Sequence, residues 1–224
     1  TELPNGMDTV IWSTSATTQT IPVNYGGTFT VYVVDHNGCS DVSDPLTVTV
    51  FPNPVAVITP TGNPVFCAGD SVILCANPGM SLYNWSSSES TQCITVMNSG
   101  TFTLHIQDTN GCTDDSDPFT VTVNANPVAV ITPSGLVNFC AGGSVDLSAN
   151  SSMSHYSWMG SSTDTVQTIT VNSSGTFTVH VEDANGCVDN SDPITVTVYP
   201  LPTPVITPDG PTSFCLGGSV HLTA

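Results

Sequence analysis

The chain has 224 residues, with 18 acids, no Lys or Arg and a formal charge of −18. Ordinary usage would supply roughly 25 basic residues. Their absence excludes a cationic surface for nucleic acid, a phosphate-loop or Schiff-base lysine, an arginine clamp, a Lys–Asn cross-link and attraction to anionic membranes.

The hydrophobic fraction of 39% is enough for globular folding. No apolar run is long enough to cross a membrane, so direct membrane insertion is not expected. No signal peptide or basic targeting stretch is visible. Eight cysteines among Gly- and Pro-rich turns point to an oxidising, extracytoplasmic compartment.

Internal periodicity organises everything else. Trp12, Trp85 and Trp158 recur at 73 and 73 residues, while Cys39, Cys112 and Cys187 recur at 73 and 75. Cys67, Cys140 and Cys215 repeat the 73 and 75 spacing. Four segments follow: a partial repeat at 1–52, whole repeats at 53–125 and 126–200, and a partial repeat at 201–224. The head, 1–52, reads as strands C to G of a seven-strand sandwich. The tail, 201–224, reads as strands A and B.

In the first whole repeat the strands are expected in this order: A near 55–59, B at 71–76, C at 82–86, a short C′, E at 92–96, F at 101–107 and G at 119–123. Period-two alternation defines them. Val72, Leu74 and Ala76 face inward on B, and Phe102, Leu104 and Ile106 face inward on F. Asn-Gly before each of Cys39, Cys112 and Cys187 reads as a type I′ hairpin turn. No stretch has helical periodicity. The fold class is all-β: tandem immunoglobulin-like β-sandwich domains forming an elongated rod. Pro-rich joints at 51–54, 126–127 and 199–204 restrict bending.

Three motifs carry a family resemblance: Ser-Gly-Thr-Phe-Thr at 99–103, Asp-x-Asn-Gly-Cys at 108–112, and Phe-Cys-Ala-Gly at 66–69 and 139–142. The chain resembles the Ig-like and PKD-like repeats of giant surface proteins in gliding Bacteroidota. These include adhesins and the hook-bearing filaments of predatory species. The resemblance implies type IX secretion and a mechanical, non-enzymatic role in attachment to a surface, glycan or prey. It also implies copies of the chain bundled in a filament. Asp8-Thr-Val, Asp70-Ser-Val and Asp164-Thr-Val resemble the O-glycosylation signal of that phylum, making Thr9, Ser71 and Thr165 candidate glycan carriers. The rival from another class is a carbohydrate-binding module array of a secreted hydrolase. With 7% aromatic residues, mostly at core positions, that rival is disfavoured.

Cys75 and Cys93 occur only in the first whole repeat, and Ser148 and Thr168 replace them in the next. They fall at one pole of neighbouring strands B and E, so a Cys75–Cys93 disulfide fits. The recurring cysteines leave two readings. Cys67 with Cys112, and Cys140 with Cys187, would give one bridge per domain. Yet the A–B and F–G turns lie at opposite poles, roughly 20 Å apart for ordinary strands. The other reading is a staple between domains: Cys67 with Cys187, Cys140 and Cys215 reaching later domains, and Cys39 and Cys112 reaching earlier ones. Zinc is a poor alternative because the cysteines sit singly.

Acids cluster at the F–G turns: Asp35, Asp41 and Asp44; Asp108, Asp114, Asp115 and Asp117; Asp183, Asp189 and Asp192. Calcium is the candidate ligand, as a hard cation for carboxylates with no protein cation nearby. The competing reading is turn chemistry plus solubility. His105 and His180, at equivalent positions on F, read as part of a solvated sheet face. The ragged ends admit an excerpt of a longer array. They also admit strand complementation, since head and tail together have 76 residues, one repeat.

Overall fold

The computed structural model describes residues 6–160 and 164–224, so the first five residues of the head repeat lie outside it. Among the described residues every regular element is a β-strand. The head holds β1 (Met7–Trp12), β2 (Gly27–Phe29), β3 (Val31–Asp35), β4 (Ser40–Val42) and β5 (Leu46–Val48). The next repeat holds β6 (Ile58–Thr61), β7 (Val65–Cys67), β8 (Val72–Ala76), β9 (Leu82–Trp85), β10 (Cys93–Val96), β11 (Gly100–Phe102), β12 (Leu104–Gln107), β13 (Thr113–Asp115) and β14 (Phe119–Asn124). The third holds β15 (Ile131–Pro133), β16 (Asn138–Cys140), β17 (Val145–Ala149), β18 (His155–Met159), β19 (Thr168–Val171), β20 (Gly175–Glu182), β21 (Val188–Asn190) and β22 (Ile194–Tyr199). The tail holds β23 (Thr207–Pro208) and β24 (Leu222–Thr223).

Two compact units result. One comprises Thr1–Thr61, Ile73–Ile94 and Thr101–Phe119, and the other Gly62–Val72, Thr95–Gly100 and Thr120–Ala224. In the first unit β3 lies between β1 and β4, and β2 pairs with β5. β12 likewise lies between β9 and β13, with Leu104 opposite Trp85 and Gln107 opposite Thr113. β6 runs antiparallel to β8, and β10 flanks the other side of β8. Leu74, Trp85, Leu104 and Ile106 are buried here, as period-two alternation requires.

The second unit contains the whole third repeat. Its sheets are β15–β17–β19 and β16–β22–β20–β18, with β21 on the far half of β20. Val145, Leu147 and Ala149 of β17, Ile169 and Val171 of β19, and Phe177, Val179 and Val181 of β20 form one core with Trp158 and Val196. Leu147 and Phe177 are both 0% exposed. Burying side chains of this size is worth about 1.5–3 kcal/mol each. Trp158 keeps its polar edge satisfied by donating Nε1–H to the Val166 carbonyl at 2.8 Å. This arrangement of two sheets, antiparallel except where β16 meets β22, with Trp on the third main strand, is the immunoglobulin-like sandwich.

Several sequence expectations are corrected. The first strand of the 53–125 repeat starts at Ile58, not near 55, because the amides of Ala56 and Val57 bond the side chains of Asp114 and Asn77. An additional strand, β7, runs parallel to β14, with Cys67 opposite Asn124; β16 and β22 repeat that pairing. The last strand is longer than expected and broken in two, β13 then β14, by Ser116-Asp117-Pro118. No strand lies between β9 and β10. In the head, expected to carry strands C to G, residues 13–26 hold no strand, so strand E is missing there. In the third repeat the equivalent β19 bonds β17, and no β17 counterpart is described in the head. The turn before Cys112 is not type I′, which needs positive φ at both central residues. Only Gly111 has it (φ 88°), and Asp108 and Cys112 close a three-residue loop.

Candidate functional site

Cys67 is bonded to Cys187, with Cα atoms 5.5 Å apart and a sequence separation of 120. The bond therefore joins one repeat to the next. Its two ends are built differently. Cys67 closes β7, whose parallel pairing with β14 continues through the Ala68 amide to the Asn124 carbonyl at 2.8 Å. Asn126 then donates its side-chain amide to the Ala68 carbonyl at 3.0 Å, tying the start of the third repeat to the same corner. Cys187 sits on the loop between β20 and β21. The carboxylate of Asp183 accepts the amides of Asn185 and Cys187 at 2.8 and 2.9 Å, and Gly186 takes positive φ (81°) so the chain can turn. Cys187 is fully buried.

The pairings Cys67 with Cys112 and Cys140 with Cys187 are not formed. Cys39, Cys112, Cys140 and Cys215 are free thiols. Cys39, Cys112 and Cys140 each occupy one of the two backbone settings just described, whereas Cys215 ends no strand and shares only the glycine turn. Cys140 ends β16 opposite Tyr199 as Cys67 ends β7 opposite Asn124. Cys215 accepts the Gly218 amide at 2.9 Å as Cys140 accepts that of Gly143 at 3.1 Å. Cys39 and Cys112 give their amides to Asp35 and Asp108 at 2.8 and 2.9 Å, as Cys187 does to Asp183. Cys112 lies against the Phe51 carbonyl.

Those turn carboxylates are held below their ordinary value. At Asp35 and Asp183 the main cause is the amide of Cys39 or Cys187. At Asp108 desolvation is the largest single influence and pushes upward, but hydrogen bonds from Cys112, Asn110 and Gly111 together outweigh it.

The second disulfide, Cys75–Cys93, links β8 to β10 with Cα atoms 4.1 Å apart. At the equivalent place in the third repeat the Ser148 and Thr168 hydroxyls meet at 2.9 Å.

The acids divide by role. Asp114 and Asp189 accept the amides of Ala56 and Ala129, each at 2.8 Å, and so fasten the first segment of a repeat to its last strand. Sequence reasoning missed this tie; its only trace is the recurrence of Ala and Asp at matching positions. Asp41 bonds the Val42 amide. Asp44, Asp117 and Asp192 precede the prolines that interrupt the last strand, and Asp115 bonds His105 at 2.7 Å. At the equivalent pair, His180 meets Asn190 at 3.0 Å. Both histidines thus have a neighbour across the strands, which the solvated-face reading did not include. Among the described residues no three His, Cys, Asp or Glu side chains gather to hold a metal. Ser71 and Thr165 are exposed, whereas Thr9 is half-buried in β1. A cavity of about 340 Å³ beside β15 and β22 is lined by Ala129, Val130, Ile131, Asp192, Pro193 and Ile194, with one ionisable side chain. Among the described residues no helix is long and apolar enough to cross a membrane.

No family model matches the sequence, and no curated protein does. Solved structures with some likeness include murine CEACAM1b (10% identity, TM-score 0.34, covering 64% of this chain and 99% of that one). Fibronectin(III)-like modules of Clostridium thermocellum CbhA give 11% identity, TM-score 0.35 and coverage of 64% and 93%. Extracellular domains 3–5 of Drosophila OTK give 10%, 0.39 and coverage of 81% and 74%.

Proposed function

We infer that the chain is a structural repeat segment of an extracellular adhesin or filament, and that it works mechanically. The observation that carries this reading is the Cys67–Cys187 bond between consecutive repeats. A disulfide within a sandwich stabilises that sandwich. A disulfide from one repeat to the next caps how far the chain between them lengthens under tension. Two disulfides and an entirely anionic composition fit an oxidising exterior. The motif resemblance to giant surface proteins of gliding Bacteroidota supports attachment of a cell to a surface, polymer or prey, with export by the type IX route.

Single-molecule stretching tests the mechanical role. The oxidised chain should withhold the 120-residue span between the bonded cysteines. Reduction should release roughly 400 Å of contour length at about 3.3–3.6 Å per residue. Equal extension in both states overturns the reading. Specific binding of the isolated repeats on a glycan array would replace it with a carbohydrate-binding role.

A further inference from the structure

Asn110 and Asn185 lie in the loops that carry Cys112 and Cys187, and each precedes a glycine. Both are exposed. The aspartate two residues earlier holds each of them in two places. The main-chain amides of Asn110 and Asn185 donate to Asp108 and Asp183, both at 2.8 Å. The side-chain amides donate to the other oxygen of the same carboxylates at 3.3 and 3.4 Å, which is long for such a bond. The carboxamide is therefore the loose part of each turn.

The glycine nitrogen that follows is also loosely held. Gly111 and Gly186 donate to the carbonyls of Asp108 and Asp183 at 3.3 and 3.2 Å. Neither glycine has a side chain to crowd that nitrogen. A Cβ placed on Gly186 would come no closer than 3.9 Å to Glu182 Oε1, and one on Gly111 no closer than 4.0 Å to Gln107 Nε2.

We propose that Asn110 and Asn185 are sites of spontaneous deamidation, and that conversion of Asn185 loosens the loop that covers the Cys67–Cys187 disulfide. The glycine nitrogen gives its proton to hydroxide and attacks Cγ of the asparagine. A nitrogen–carbon bond forms, the Cγ–Nδ2 bond breaks, and ammonia leaves with a proton from water. Water then opens the succinimide ring at either carbonyl, giving aspartate or isoaspartate. Nothing is oxidised or reduced.

The effect on the loop follows from charge and from backbone length. The Asp183 carboxylate then faces a second carboxylate where it had a donor, and the chain has no Lys or Arg to neutralise the pair. Isoaspartate also lengthens the main chain by one methylene between residues 185 and 186. The Asp183 amide closes the loop on the Cys187 carbonyl at 2.9 Å, which leaves no slack for an extra atom. While the loop is closed Cys187 is 0% exposed, which hinders attack by an outside thiol.

The chain carries its own controls. Asn53, Asn63, Asn77 and Asn126 precede prolines, whose nitrogen has no proton to lose. Cys75–Cys93 joins β8 to β10, and neither strand borders these loops.

The test holds the full oxidised 224-residue chain in warm, mildly alkaline buffer and maps its peptides over time. Mixed aspartate and isoaspartate should accumulate at 110 and 185, with the four proline-flanked asparagines unchanged. Reduced glutathione should then open Cys67–Cys187 several-fold faster than in fresh chain, with no change at Cys75–Cys93. Asn185→Gln, whose longer side chain disfavours the five-membered ring, should keep its own fresh rate after the same incubation. Intact amides at 110 and 185 overturn the modification. Equal rates at Cys67–Cys187 before and after conversion, or an equal acceleration in N185Q, overturn its effect on the bridge.

Discussion

The paired strands β8–β10 and β17–β19 occupy the same place in successive repeats, yet one pair is joined by Cys75–Cys93 and the other by a hydroxyl contact between Ser148 and Thr168. Both run beside a buried row, Leu74 and Ala76 in one and Leu147 and Ala149 in the other. The sandwich therefore does not need the covalent bond to specify its register, which the buried alternation already sets. The disulfide adds stability to a pairing that forms anyway. The recurring cysteines are a different matter, because their bond joins repeats rather than strands.

The sharpest way to break this contrast is exchange. Replacing Cys75 by Ser and Cys93 by Thr gives the earlier repeat the later one's pair. The bridged loop spans 18 residues, and such a loop stabilises by about 3 kcal/mol in the chain-entropy account. The variant should lose about that much in urea unfolding, and an unchanged midpoint would show that strain cancels the gain. A smaller effect is expected in the third repeat. Ser148→Ala removes one exposed hydrogen bond and should cost about 0.5–1.5 kcal/mol, read from the same transition. If it costs as much as the disulfide, the two pairs are not equivalent.

The smallest effect concerns pH and compares two turns. Asp183 has a folded-state value lowered below its ordinary 3.8, chiefly by the Cys187 amide. Its contribution is therefore present above the unfolded value and lost as pH falls through the lowered one. Asp183→Asn should be less stable than the parent near neutrality, with the difference shrinking as the solution is acidified. The equivalent Asp35→Asn should behave alike, since the Cys39 amide is its chief partner. Measuring unfolding midpoints across the acid range checks both. A gap that widens at low pH would contradict the assigned hydrogen bonds.

Much of the fold was legible because alternation and recurrence reinforce each other. Trp85 and Trp158 mark the same buried site, and Val145, Leu147 and Ala149 announce their face without help. The parts that were not legible depend on partners distant in sequence. β7 is three residues long, follows a proline, and exists because β14 runs beside it more than fifty residues later. β13 reads Thr-Asp-Asp, a poor strand sequence, yet it pairs because the Asp108 turn delivers it to β12. In the head, Thr20-Ile-Pro-Val carries an alternating pattern but forms no strand.

The span of the Cys67–Cys187 bond has a consequence for damage. A backbone cut at any single point between those residues leaves both fragments tied through sulfur, so the break severs the polypeptide without severing the molecule. With no Lys or Arg anywhere, trypsin-like enzymes cannot make that cut at all. Enzymes with other preferences can nick this span and still fail to release the end beyond it.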